Sequence, residues 1–204
     1  MTMKNRNRKR LAWTAAIGAA LALSGCSSRA VVPKSYNKYN CKDGTFQIEY
    51  PAGWQAEGGG KAGYAWAKFT SGSAEIAVNT NVVGSLVGDI AGGGMMGVSR
   101  PEDMGHERDP VAVVHEMEKG QFEEDEGVKE QDPVEVETGM RGAKKAEFTG
   151  TKTFGGEIHG YRVTALGRDY RFRIVCRCDK DQWQALQPVF DKIIPTLRGG
   201  VPEF

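Results

Sequence analysis

The sequence predicts an α+β fold, an antiparallel sheet flanked by helices, and three observations lead to it. Short segments with apolar and polar residues in strict alternation recur along the chain, as half-buried strands require. They are joined by glycine-containing turns, too short for the crossovers that parallel strands need. Two further segments, one after Asp109-Pro110 and one from Lys180, space their apolar residues at the helical period and present stripes that a sheet face would cover.

Taken in order, Tyr36 to Cys41 and Thr45 to Tyr50 flank Asp43-Gly44, a short-hairpin signal, and Phe46, Ile48 and Tyr50 alternate with Gln47 and Glu49. Glycines 58–60 read as a turn, Ala62 to Thr70 and Glu75 to Thr80 as the next strands. Residues 81–108 form a glycine-rich insertion. Val83, Leu86, Val87 and Ile90 have helical spacing, and Gly92-Gly93-Gly94-Met95-Met96-Gly97 reads as a loop with two adaptable apolar side chains. Asp109-Pro110 starts a helix with Val111, Val114, Met117 and Phe122 inward, expected to end near Gly120 because the acids at 123–126 oppose the helix dipole. Strands are expected at Val134 to Glu137, Ala143 to Thr151, Glu157 to Leu166 and Tyr170 to Cys178. A helix from Lys180 to Leu197 closes the fold, with Trp183, Leu186, Phe190, Ile193 and Leu197 on one face and Pro188 implying a kink or two abutting pieces. The folded domain spans 36–198, and 199–204 is a tail.

The first 25 residues have the anatomy of an export signal. Lys4, Arg6, Arg8, Lys9 and Arg10 precede an apolar run from Leu11 to Leu23, too short for a comfortable permanent span. The run ends in Leu23-Ser24-Gly25-Cys26, which matches the lipobox of bacterial lipoprotein precursors. The sequence is therefore expected to be cleaved before Cys26, lipidated on that residue, and held at the cell-envelope membrane by its acyl chains, with 26–35 as a tether. Ser27 is not the aspartate associated with inner-membrane retention, which favours the outer membrane where the host has one.

Without the signal, 22 basic residues face 26 acidic ones, a balance of −4 where the whole chain stands at +1. A mildly acidic domain lacks the basic footprint of a nucleic-acid binder.

The stretch Tyr39 to Trp54, with its aromatic strand running into Tyr50-Pro51-Ala52-Gly53-Trp54, resembles the opening of PsbP-like domains. The helix Trp183…Phe190-Asp191-Lys192-Ile193-Ile194-Pro195-Thr196-Leu197 is similar to their closing helix. This superfamily includes photosystem II PsbP, DcrB-type and LpqN-type bacterial lipoproteins and a eukaryotic Ran-binding factor. The resemblance implies a PsbP-like α-β-α sandwich and a role in binding or assembly, with no shared active site.

Candidate chemistry is sparse. His106, His115 and His159 fall in no zinc-hydrolase spacing and read as unrelated surface residues, and neither a serine-nucleophile elbow nor a phosphate loop is present. No catalytic residue, metal ligand set or cofactor is assigned. Cys176-x-Cys178 reads either as a soft-metal or redox pair, or as part of one disulfide from Cys41 to either partner with the third thiol buried. Arg171, Arg173 and Arg177 share a strand face, with Arg162 on a neighbour. They form either an anion site or cross-strand pairs with Glu135, Glu137, Glu147 or Glu157. Glu123-Glu124-Asp125-Glu126 reads as a solvated linker. Met95 and Met96 are the candidate partner contact. The expectation is a non-enzymatic, lipid-anchored binding or assembly module with an unidentified envelope partner. The competing expectation is a small-ligand or metal-binding protein using Cys176, Cys178 and the arginine face.

Overall fold

The computed structural model describes residues 29–61, 63–82, 109–152 and 155–200. The expected helix at 83–90 and the loop carrying Met95 and Met96 lie outside these residues, as do His106 and Cys26.

Strands β1 (Tyr36–Asn40) and β2 (Phe46–Pro51) form the expected hairpin, pairing Tyr39 with Ile48. Gly44 takes a φ of 70° at its turn, a conformation that favours glycine. A two-residue strand, β11 (Arg198–Gly199), adds to β2 and completes a three-stranded sheet. The main sheet has eight strands: β3 (Gln55–Lys61), β4 (Tyr64–Ser71), β5 (Ala74–Val82), β6 (Val128–Glu130), β7 (Val134–Glu135), β8 (Gly142–Thr151), β9 (Glu157–Leu166) and β10 (Tyr170–Asp179). Their order is β3-β4-β5-β10-β9-β8-β6, with β7 beside β8, and every pairing is antiparallel.

Helices α1 (Pro110–Glu126) and α2 (Trp183–Ile193) cover opposite faces of this sheet. Alternation along β10 decides which residue goes where. Phe172, Ile174, Cys176 and Cys178 join Phe46 and Ile48 of β2 and Leu186, Phe190 and Ile193 of α2 in the larger core. Val175, pointing the other way, joins Phe122 of α1 with Val128, Phe148 and Ile158 in the smaller one.

Several elements differ from the sequence expectation. Helix α1 runs past Gly120 to Glu126 and stops at Gly127 in the left-handed conformation. The acids at 123–126 do not oppose it as expected, because they have partners: Glu123 accepts the backbone N–H of Glu130 and Lys129 Nζ, and Glu126 binds Arg177. On the same helix the buried stripe is Val111, Val114, His115 and Phe122, while Met117 faces solvent. Glycines 58–60 belong to edge strand β3, where a Cβ at Gly58 would collide with the Tyr39 hydroxyl. Pro188 lies inside α2 without dividing it, and short 3-10 turns, Lys180–Gln182 and Ile194–Thr196, flank that helix.

Between α1 and the sheet lies a buried ionic cluster. Arg162 of β9 is fully buried, and its guanidinium donates to both Glu130 carboxylate oxygens, at 2.6 and 2.7 Å, and to the His115 carbonyl at 3.0 Å. It also lies over the Phe122 ring, 5.2 Å from the centroid. The Glu130 side chain is likewise fully buried. Removing one partner strands the other charge away from water, so Glu130→Ala is expected to cost about 3–5 kcal/mol of unfolding free energy. The same truncation at Glu157, whose pairing with Lys180 is exposed, is expected to cost about 0–1 kcal/mol. Urea unfolding of the folded domain compares the two; equal losses would overturn the assignment of Arg162–Glu130 as a structural pair.

Candidate functional site

Turns from distant parts of the chain converge at one end of the sandwich and enclose a cleft of about 740 Å³. The β1–β2 turn brings Lys42 and Asp43, the loop before β8 brings Met140 and Arg141, and the β9–β10 turn brings Arg168 and Asp169. Tyr170 and Phe172 of β10 add an apolar surface. Backbone hydrogen bonds fix the rim: Gly200 N–H donates to Thr45, Gly139 N–H to Leu197, Arg141 N–H to Leu166 and Gly167 N–H to Tyr170.

Among the described residues, the side chains of Lys42, Arg141 and Arg168 make no ion pair, so three cations face the opening with their charge uncompensated by direct contact. Asp43 is occupied otherwise. Burial acts to raise its pKa, but hydrogen bonds from Thr45 and the Cys41 thiol outweigh that and hold it below the usual carboxylate value. The lining thus combines three cations, the carboxylates of Asp43 and Asp169, exposed main chain and an aromatic wall. Its volume falls in the range of small-molecule and peptide sites, and its chemistry suits recognition of an acidic group.

No protein-family model matches the sequence, and no curated protein matches it either. Solved structures do. The chain is similar to cyanobacterial PsbP (CyanoP) from Synechocystis, at 13% identity and a TM-score of 0.55 over 87% of this chain and 98% of that one. This is a PsbP-like fold. LpqN, described as involved in cell envelope biogenesis of Mycobacterium tuberculosis, aligns at 11% identity and a TM-score of 0.48, over 82% of this chain and 91% of that one.

The residues singled out in the sequence are dispersed over this PsbP-like domain. Cys176 and Cys178 share the apolar face as expected, but Arg171, Arg173 and Arg177 project from the other side of the same strand, so one site cannot combine the thiols with the arginines. The expected disulfide from Cys41 is not formed; Cys41, Cys176 and Cys178 are all buried free thiols. Burial raises the pKa of all three, pushing Cys178 up to about 12, so they remain protonated and are poor ligands and nucleophiles at neutral pH.

The arginines do pair with acids, though not with the acids expected. Arg171 binds Glu118, Arg177 binds Glu126 and Glu75, and Arg162 binds Glu130. Helix α1, the neighbouring β5 and, for Arg162, β6 supply these partners, whereas Glu135, Glu147 and Glu157 are taken by Lys144, His159 and Lys180. Arg173 has no acidic partner among the described residues and lies beside Trp66 and Asn79. The cleft residues escaped sequence reading because they sit in turns, where Asp43-Gly44 and Gly167-Arg168-Asp169 register as chain punctuation. The visible signal was a cation in each turn.

His115 is also corrected from surface to interior: it is 1% exposed, and Nδ1 lies 2.9 Å from the Thr164 hydroxyl. Burial and then the Arg162 charge lower its pKa from 6.5 to about 3. Glu130 Oε2 stands 3.9 Å from Nε2, beyond hydrogen-bond reach, and is already engaged by Arg162.

Two measurements check these placements. A histidine with a depressed folded pKa takes up a proton on unfolding. Its contribution is therefore complete above pH 6.5 and is lost as pH falls from there toward 3, at up to about 1.4 kcal/mol per pH unit. His115→Gln is expected to remove that part of the slope in urea titrations between pH 7 and 4.5; parallel slopes would overturn it. For the thiols, the domain lacking residues 1–26 is expected to show no fast-reacting thiol when native and three in denaturant. A count of one in denaturant would instead establish a disulfide.

Proposed function

We propose that this chain is a lipid-anchored protein of the bacterial cell envelope, acylated on Cys26, whose PsbP-like domain recognises or helps assemble another envelope component. The observation that carries the reading is the N-terminal sequence: a basic cluster, an apolar run and Leu23-Ser24-Gly25-Cys26 in the order that export and lipid attachment require. Among the described residues no helix is long and apolar enough to cross a membrane, and the reading assigns attachment to acyl chains on Cys26. The cleft supports the second half of the proposal. Its three cations sit on turns held by a rigid sandwich, an arrangement that favours recognition of an acidic surface or segment. The domain acts by binding, without chemistry of its own. The outer membrane is the proposed destination where the host has one, since Ser27 follows the lipidated cysteine.

Cells expressing the chain and fed a labelled fatty acid are expected to incorporate label into the wild type and not into Cys26→Ser, which should also leave the membrane fraction. A photo-crosslinker at Asp169 is expected to trap a defined envelope protein. Arg141→Glu with Arg168→Glu should abolish that product without shifting the melting temperature. Absence of label would overturn the anchor, and a crosslinked product indifferent to charge reversal would overturn the role of the cleft.

A further inference from the structure

The segment that follows the lipobox cysteine is pinned to the domain almost from its start. The Ala30 N–H donates to Gln182 Oε1 at 2.6 Å, and the Val31 N–H donates to the Ser71 hydroxyl at 3.2 Å. The Val31 carbonyl accepts the Trp54 indole N–H at 3.0 Å. The anchoring groups are themselves held, for Trp54 is buried in the larger core and Gln182 is buried and donates to the Ser73 hydroxyl at 2.8 Å. The expected tether over 26–35 is thus a docked strap from Ala30 onward.

Chain length then constrains geometry. Four peptide steps separate Cys26 from Ala30, and a chain spans at most roughly 3.6 Å per residue, so the Cys26 Cα, whose side chain would carry the lipid, lies within about 14 Å of the Ala30 Cα. That backbone sits at the end of the sandwich formed by the β4–β5 turn (Ser71 to Ala74) and the turn Lys180–Gln182. The cleft is at the other end. Strand β10 connects the two, with Tyr170 lining the cleft and Asp179 adjoining the turn that carries Gln182. Ten residues of strand at ~3.3 Å each separate the ends by about 30 Å.

The strap also carries two exposed apolar side chains in succession. Val31 and Val32 are 64% and 52% exposed, beside the point where the lipid would enter the bilayer. Adjacent exposed valines at the root of an acyl anchor match the apolar–polar boundary of a membrane surface.

From these observations we propose an orientation that rests on the lipid-anchor reading. The domain stands on the bilayer through its Val31-Val32 and β4–β5 end, and presents the cationic cleft on the opposite side, about 30 Å from that contact. The occupant of the valine end is the lipid surface. The cleft is held clear of it for a partner that approaches from the aqueous side.

The test uses the full acylated chain in vesicles of phosphatidylethanolamine and phosphatidylglycerol, some carrying a nitroxide on the headgroup. Asp181→Cys, exposed at the strap end, and Asp169→Cys, exposed at the cleft, are labelled in turn with a fluorophore, the three native thiols being buried. Quenching is expected to be several-fold stronger at 181 than at 169. Equal quenching at the two positions, or stronger quenching at 169, in protein that floats with the vesicles would overturn the orientation and leave the anchor standing. Protein that carries no acyl group and fails to float would overturn the anchor itself, and the orientation with it.

Discussion

The structure depends on one pairing between distant parts of the chain. Strand β10 is hydrogen-bonded to β5 from Tyr170 opposite Val82 to Arg177 opposite Glu75, and on its other edge to β9. Without the first of these contacts the hairpin β4–β5 and the meander β8–β9–β10 would be two smaller sheets, each with an open edge beside an apolar face. With it, β10 becomes a central strand covered on both sides. A strand in that position must present apolar residues at even and odd positions alike, or pair whatever polar groups it carries.

That requirement explains the polar cluster under α1. The larger face is satisfied by aliphatic and aromatic packing against α2 and the small sheet. The other face mixes Val175, Phe148 and Ile158 with Arg162, Thr164 and the paired Arg171 and Arg177. Helix α1 covers this face by supplying Phe122 to the apolar part and Glu118, Glu126 and the His115 carbonyl to the charged part. Burying Arg162 costs several kcal/mol in desolvation, offset by the hydrogen bonds of Nε and Nη2, while Nη1 has only the Glu118 carboxylate 3.9 Å away. The bidentate contact with Glu130 of β6 provides most of those partners, and the bond to the His115 carbonyl ties α1 to β9.

How much of this was legible in the sequence varies element by element. Strands β2, β5 and β10 were readable because one face of each is apolar and the alternation survives. The Asp109 cap of α1 was readable because the signal is local, with Asp109 Oδ1 accepting the Val111 N–H. Strand β3 was not, since Gln55-Ala56-Glu57-Gly58-Gly59-Gly60-Lys61 has no apolar face; its glycines admit the Tyr39 hydroxyl and the Trp66 ring, contacts invisible without the fold. The end of α1 was misplaced for the same reason: its acids are stabilised by Arg177, Lys129 and the Glu130 amide, all outside the helix. Shared faces were legible from period two; the partners across them were not.

The cleft and the strap extend that distinction to function. Chemistry that lies within one local motif, such as the lipobox, reads directly from the chain. Sites made where turns converge do not, because each turn contributes one or two residues and only the sheet order brings them together. Here the same sheet order also separates the cleft from the strap. The β1–β2 and β9–β10 turns must lie at one end of antiparallel strands and the β4–β5 turn at the other, given the register of Val82 with Tyr170 and Glu75 with Arg177. Docking of Ala30 and Val31 beside the β4–β5 turn therefore puts the strap and the cleft at opposite poles. An anchored protein whose recognition surface lay at the strap end would have to bind its partner against the headgroups. Under the proposed anchoring, the length of β10 itself would serve as the spacer, with no long flexible tether needed to lift the cleft into reach.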